Sequence, residues 1–261
     1  MLTAEQITQF HRDGYLRIPN VLSPDQVSWL RTFFQARLNR PVEERRVGDL
    51  EDILMEIHTR YPEIKWLLFH EPTIQILKSL LGDDFVFLRE SAVHLNRFGG
   101  WHKDTTSQEK AGCTFHWDDD FLMLEAAYYL QDNSDELGGG LDVEPGSHLK
   151  PDQFIGNGGR LRSVLRKASR FAANQVSVPT KAGDLVLFHF RLNHRASQAR
   201  QVQAANERRK MAIFFACSRN NHHIGAYYDF LNTRPEYGYL KEVSSAPGLV
   251  EEAAALGITL I

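Results

Sequence analysis

The first 84 residues place their apolar side chains at helical spacing, and from Phe85 onward the spacing becomes that of strands. Thr3 and Gln6 fit a capping box, in which the Thr hydroxyl and the Gln amide satisfy each other's backbone N–H, and Gly14 supplies a left-handed stop. Ser23-Pro24-Asp25-Gln26 is a second helix start, with Pro24 at the first helical position. Val27, Leu30, Phe33, Phe34 and Leu38 then recur every three to four residues up to about Asn39. Residues 51–58 and 73–81 read as further helices, the latter stopped by Gly82. From Phe85 the segments 85–96, 121–131, 140–143, 175–178, 185–190 and 210–217 are rich in Val, Ile, Leu, Phe and Tyr. Gly, Pro, Asn and Asp punctuate them. A helical stretch returns at 248–256. Helices followed by short strands predict an antiparallel β-sandwich or barrel behind a helical layer.

Composition narrows the classes. A chain of 261 residues can bury a substantial core without disulfides or metals to staple it. With 30 basic and 33 acidic side chains it has no excess of positive charge to mark a nucleic-acid partner. No apolar run approaches the ~18 residues needed to span a bilayer, and the N-terminal stretch lacks the pattern of a secretory signal. Two cysteines, Cys113 and Cys217, fit a reducing compartment, so a cytoplasmic location is expected. The eleven histidines raise the question of metal.

Two His-x-Asp triplets compete for that role: His102-Lys103-Asp104 and His116-Trp117-Asp118. In an extended segment, residues i and i+2 share a side, so either could aim an imidazole and a carboxylate at one ion. A distant histidine would complete a facial triad with open positions for a co-substrate and O2, as in non-haem Fe(II) oxygenases. Chance alone supplies one such triplet in a chain this rich in His and Asp. Corroboration lies in residues 183–215: Gly183-Asp184, the apolar Leu185-Val186-Leu187-Phe188, His189 and His194, then Glu207-Arg208-Arg209-Lys210 leading into Met211-Ala212-Ile213-Phe214-Phe215. A histidine ending one strand and an arginine opening the next suit a metal ligand beside a carboxylate clamp.

Trp101-His102-Lys103-Asp104, Tyr129-Leu130-Gln131-Asp132-Asn133, Gly139-Gly140-Leu141, Pro145-Gly146-Ser147-His148 and Gly183-Asp184-Leu185-Val186-Leu187-Phe188-His189 occur in that order. In this the chain, over roughly residues 3–217, resembles the phytanoyl-CoA dioxygenase family of Fe(II)/2-oxoglutarate oxygenases. The resemblance implies a mainly β fold with α, a double-stranded β-helix (jelly-roll) core with a helical N-terminal layer. It implies one oxygenase domain over 1–261, with the helical layer at 1–84, the core at 85–217 and a C-terminal extension at 218–261. It selects His102 and Asp104 over His116 and Asp118, because a loop must separate the triplet from the strand carrying Tyr129-Leu130-Gln131. His194 becomes the distal ligand, with His189 and His148 left as structural residues, His94 bordering the site and His222 and His223 at the surface. His116 could line the pocket.

For 2-oxoglutarate, the resemblance points to Asn96 and to an arginine opening the last core strand. Arg209 fits if Arg209, Met211 and Ile213 share the inward face; Arg208 and Arg200 are the other candidates. The implied reaction is oxidation of a small molecule with 2-oxoglutarate and O2 consumed and succinate and CO2 released. Asp104 argues against halogenation, which needs the carboxylate's position for chloride. The acidic, polar 105–120 stretch leans toward a polar or cationic metabolite. The rival readings are a cupin-like metal-binding isomerase or binding module, and a protein hydroxylase. Neither a membrane nor a nucleic acid is expected as a partner.

Overall fold

A computed structural model describes residues 1–41, 52–95, 100–151, 174–199, 210–234, 237 and 248–261. Both capping boxes form as expected. The Thr3 hydroxyl accepts from Gln6 N–H at 3.2 Å, and Ser23 does the same for Gln26 at 3.2 Å. They open α1 (Ala4–Asp13) and α2 (Pro24–Leu38). Each cap of this kind contributes about 1 kcal/mol. The helix expected at 73–81 runs over Glu71–Leu81, with Pro72 in its first turn.

Among the described residues, ten strands form two sheets. They are β1 (Tyr15–Ile18), β2 (Ile53–Met55), β3 (Val86–Leu95), β4 (Met123–Tyr129), β5 (Leu141–Val143), β6 (Val176–Val178), β7 (Leu185–His189), β8 (His194–Ala196), β9 (Met211–Ser218) and β10 (Thr259–Leu260). The larger sheet has the order β1-β7-β4-β9-β3-β10, with β2 also paired to β3, and the smaller has β6-β5-β8. All pairings are antiparallel except β10 against β3. The small sheet faces the inner side of the large one, which is the jelly-roll arrangement expected.

The large sheet is buried on both faces, which explains the unbroken apolar run of β7. Leu124, Ala126 and Tyr128 of β4, and Ile213, Phe215 and Cys217 of β9, pack outward against Leu30, Phe34 and Leu77 of the helical layer. Ala127, Tyr129, Phe188 and Ala212 point inward toward Leu141, Val143 and Val178 of the small sheet. Burying each large apolar side chain contributes about 1.5–3 kcal/mol.

Two expectations need correction, and two gain detail. Residues 51–58 are not one helix: β2 is followed by a single helical turn, Ile57–Arg60. The β-branched and apolar Ile53-Leu54-Met55 pairs with Met55 opposite Ala92, so tertiary pairing overrides local helix preference. The N-terminal layer is not purely helical, because β1 and β2 both extend the large sheet. The C-terminal stretch also contributes, through β10 and a helix at His223–Asn232. Finally, Met211 and Ile213 face the helical layer, while Ala212 and Phe214 face the inter-sheet cavity. Ile213 therefore does not point inward, while Met211 both joins the outer core and borders the cavity. Among the described residues, no helix is long and apolar enough to cross a membrane.

One contact locks helix layer to core. Gly14 ends α1 at φ 82°, and a Cβ there would overlap the His148 ring. His148 Nε2 donates to His11 O at 3.0 Å, and Gly14 O accepts from His189 N–H at 2.9 Å. The Pro145-Gly146-Ser147-His148 turn is thus clamped onto the end of the first helix. Burial pushes the His148 imidazole down from its ordinary 6.5 to about 4, and the nearby Arg191 and Lys103 charges act in the same direction. The folded chain holds this ring neutral while the unfolded chain protonates it below 6.5. Stability is therefore fully present above pH 6.5 and declines as the pH falls toward 4. His148→Gln, whose amide can still donate to His11 O, is expected to flatten that part of the stability–pH curve in urea unfolding between pH 4 and 7. An unchanged slope would exclude His148 as its source.

Candidate metal centre between the sheets

Backbone pairing builds the site. His102 N–H donates to His194 O at 3.0 Å, and His194 N–H returns the bond to His102 O at 2.9 Å. This two-residue bridge joins the loop after β3 to the start of β8. Asp104 N–H donates to Phe190 O at 3.0 Å, so the loop is pinned at both ends of the triplet. The intervening Lys103 points the other way and is buried. Its ammonium donates to Ser147 O at 2.9 Å and Lys150 O at 2.7 Å, the carbonyl end of the Ser147–Leu149 turn. That alternation sends His102 and Asp104 together into the cavity.

His102, Asp104 and His194 bring one ligand atom each within 4.8 Å of one another. His102 Nε2 lies 3.7 Å from Asp104 Oδ1 and His194 Nε2 lies 3.8 Å from it. Each ring has its Nδ1 engaged by a backbone carbonyl, His102 with Gly100 O at 2.7 Å and His194 with Leu192 O at 3.0 Å. Donating there fixes the tautomer and leaves both Nε2 lone pairs directed at the shared space. Asp104 Oδ2 is buried without a hydrogen-bond partner. Burial lowers the His194 pKa, with the Asp104 charge opposing, so the ring is held as the neutral ligand form. Two imidazoles and a carboxylate with an orphaned oxygen are a donor set that fits a first-row divalent metal such as Fe(II).

The competing triplet does not assemble. Residues 115–117 form a 3-10 turn, so His116 and Asp118 do not share a face. His116 is buried against Phe115, Trp117 and Phe121, with Nε2 3.4 Å from Glu109 Oε1, and does not line the main cavity. Asp118 instead approaches His222 and His223 at 3.7 and 3.8 Å. His223 is buried and stacked on Phe121, not a surface residue. His189 behaves as the structural residue expected, its Nδ1 accepting from Arg191 N–H at 3.0 Å. Asn96, Arg200, Arg208 and Arg209 lie outside the described residues.

The cavity above the triad has a volume of about 310 Å³. His94 borders it, as do Phe188, Phe214 and Gln131. Three of its residues escaped the sequence reading. Lys210 lines it and donates to Leu137 O, with burial lowering its pKa. Glu90 and Glu125 also line it, each half-buried with its Oε2 shut off from solvent. Glu125 sits in the apolar run of β4, where a lone acid was the available signal, whereas Glu90 lies between Arg89 and Ser91 in the sequence of β3. The acids of the 118–120 run do not line this cavity.

A jelly roll with a two-histidine, one-carboxylate set at the mouth between its sheets defines a class: the 2-oxoglutarate oxygenase fold. The family model "Phytanoyl-CoA dioxygenase (PhyH)" matches residues 10–204, and the chain belongs to that family. Ectoine dioxygenase from Sphingopyxis alaskensis is 28% identical over 163 residues, which is 56% of this chain and 50% of that protein. Ectoine dioxygenase from Streptomyces anulatus is 25% identical over 166 residues, 56% of this chain and 52% of that protein. The chain thus spans about half the length of these curated relatives in the matched region. Among solved structures, EctD from S. alaskensis with 2-oxoglutarate and 5-hydroxyectoine superposes with a TM-score of 0.63 at 22% identity, over 83% of this chain and 76% of that one. The non-heme alpha-ketoglutarate-dependent carbocyclase SnoK from nogalamycin biosynthesis superposes with a TM-score of 0.62 at 22% identity, over 86% of this chain and 91% of that one.

Metal affinity should depend on both the donor set and its support. Asp104→Ala is expected to abolish high-affinity Fe(II) or Co(II) binding, read by competition with a chromogenic chelator. Lys103→Met should weaken it by about tenfold, the effect typical of losing a residue that orients a ligand. Metal binding undiminished in Asp104→Ala would exclude this site.

Proposed function

We propose that the protein is an Fe(II)/2-oxoglutarate-dependent dioxygenase that oxidises a small metabolite, with His102, Asp104 and His194 as its metal ligands. The observation that carries this reading is the convergence of two tautomer-fixed imidazoles and an orphaned carboxylate on one cavity of a PhyH-family jelly roll. Similarity to the ectoine dioxygenases supports the reaction class and leaves the substrate open.

Bound Fe(II), with 2-oxoglutarate and O2, supplies the oxidation of a substrate C–H bond, with succinate and CO2 as co-products. The chain's own residues set where that happens. His102 and His194 present their Nε2 atoms from one side of the cavity, and Asp104 supplies a carboxylate oxygen between them. The remaining side of the triad opens onto the cavity, where a bound metal would keep open positions for the co-substrate and O2. Phe188, tilted against the His194 ring at 4.7 Å, and Phe214 form the apolar part of that lining. The far carboxylate of 2-oxoglutarate requires a cation. Arg209 remains a candidate with Arg208 and Arg200. Asn96 is the further contact expected for the co-substrate.

Compared with a cupin-like isomerase or binding module, which the triad alone would allow, the PhyH match favours the oxygenase. Anaerobic addition of Fe(II) and 2-oxoglutarate should produce the visible metal-to-ligand charge-transfer band, and its absence would overturn the reading. His102→Ala, Asp104→Ala and His194→Ala should each eliminate 2-oxoglutarate turnover, whereas His116→Ala retains part of it. Of the arginines, Arg208→Ala or Arg209→Ala should raise the 2-oxoglutarate concentration required by at least tenfold. If only Arg200→Ala does so, the strand-opening clamp is excluded.

A further inference from the structure

The cavity walls carry two acids that the triad does not use. Glu90 stands on β3 and Glu125 on β4, and both side chains line the cavity with Asp104. The Tyr227 hydroxyl donates to Glu90 Oε1. Glu90 Oε2 and Glu125 Oε2 are each buried with no hydrogen-bond partner. Among the described residues neither acid forms an ion pair.

This arrangement is costly without a ligand. A buried carboxylate that lacks a partner pays several kcal/mol in lost hydration, and a second one nearby adds repulsion. Burial, with Asp104 adding to it, pushes Glu90 up to about 7, and Glu125 is raised well above the usual carboxylate range by burial and by the charges of Asp104 and Glu90. Asp104 would be answered by a divalent ion on the triad; among the described residues Glu90 and Glu125 have no such counter-charge. Lys210 lines the same cavity, but its ammonium is engaged with Leu137 O. The aromatic rings of Phe214 and Tyr237 also line it, and ring faces attract cations.

Building on the oxygenase reading, we propose that Glu90 and Glu125 form the specificity site for a cationic substrate group, an amine, amidine or guanidine held beside the metal. Their free oxygens accept its N–H donors, and a planar N–H fork matches a carboxylate in the way arginine does. The 310 Å³ cavity admits a small metabolite and excludes a large chain. Holding the cation against these two strands sets which C–H bond lies toward the triad. This places the acids that select the substrate on the sheet itself and not in the 118–120 run.

A matched set of probes tests this: benzamidinium, neutral benzamide and anionic benzoate share one shape and differ in charge. Binding is measured calorimetrically on the intact protein, with Fe(II) and 2-oxoglutarate under anaerobic conditions and again without metal. Benzamidinium should bind at least tenfold more tightly than benzamide or benzoate. Glu90→Gln and Glu125→Gln should each reduce that preference at least fivefold, and the double variant should erase it. Glu90→Asp, which keeps the charge, should retain a preference, and thermal unfolding checks that each variant is folded. Equal binding of benzamide and benzamidinium, or a preference that survives the double variant, overturns the inference. A preference that stands while the charge-transfer band is absent would sustain the cation site and sink the iron reading.

Discussion

The exchange of backbone hydrogen bonds between His102 and His194 is the constraint on which the site depends. The two residues come from distant parts of the chain, and neither N–H···O bond involves a side chain. Both imidazoles are therefore free to serve as ligands while their backbones hold each other in register. The 4.4 Å separation of the rings follows from that pairing and from the carbonyls that fix each Nδ1. Asp104 joins them because its own N–H is fixed to Phe190 O and because Lys103 is drawn to the opposite side. The donor set is thus held by backbone bonds and one buried ammonium.

Behind that bridge the core is closely packed. The large sheet is packed on both faces, with the helical layer outside and the small sheet inside. The Pro145-Gly146-Ser147-His148 turn ties the two layers together. His148 reaches α1 through His11 O, Ser147 Oγ accepts from Asn193 N–H at 2.8 Å, and the carbonyls of Ser147 and Lys150 hold Lys103. The turn therefore contacts the first helix, the strand leading to His194 and the His102 triplet at once. Its sequence motif makes structural sense as the junction from which ligand loop and helical layer are positioned together.

Legibility from sequence followed the range of the interactions. The two capping boxes depend on residues three apart, and both were readable as written. The long strands were readable because their apolar runs exceed four residues. β1, β2, β8 and β10 have two to four residues each, and β2 and β10 owe their form to β3. The inward face of β9 was misread for a related reason. Met211, Ile213 and Phe215 alternate with Ala212, Phe214 and Ala216, so both faces are apolar and alternation carries no sign. Spacing alone could not separate the two His-x-Asp triplets, because the decisive fact is conformational: His116 lies in a 3-10 turn. The family resemblance chose the triplet whose atoms the structure brings together.

The acids illustrate a subtler limit. An aspartate run in a loop draws attention because it is dense, yet Asp118, Asp119 and Asp120 are exposed and water already solvates them. A single glutamate within an apolar strand is easily passed over, though its burial carries the larger free-energy cost. Glu90 and Glu125 stand on strands that pack on both faces, where a neutral side chain would stabilise the fold more. Chemical information in this sequence is therefore concentrated where a residue opposes the pattern around it. The cavity inherits its polarity from those two positions, and the direction from which a substrate meets the triad follows from which strands carry them.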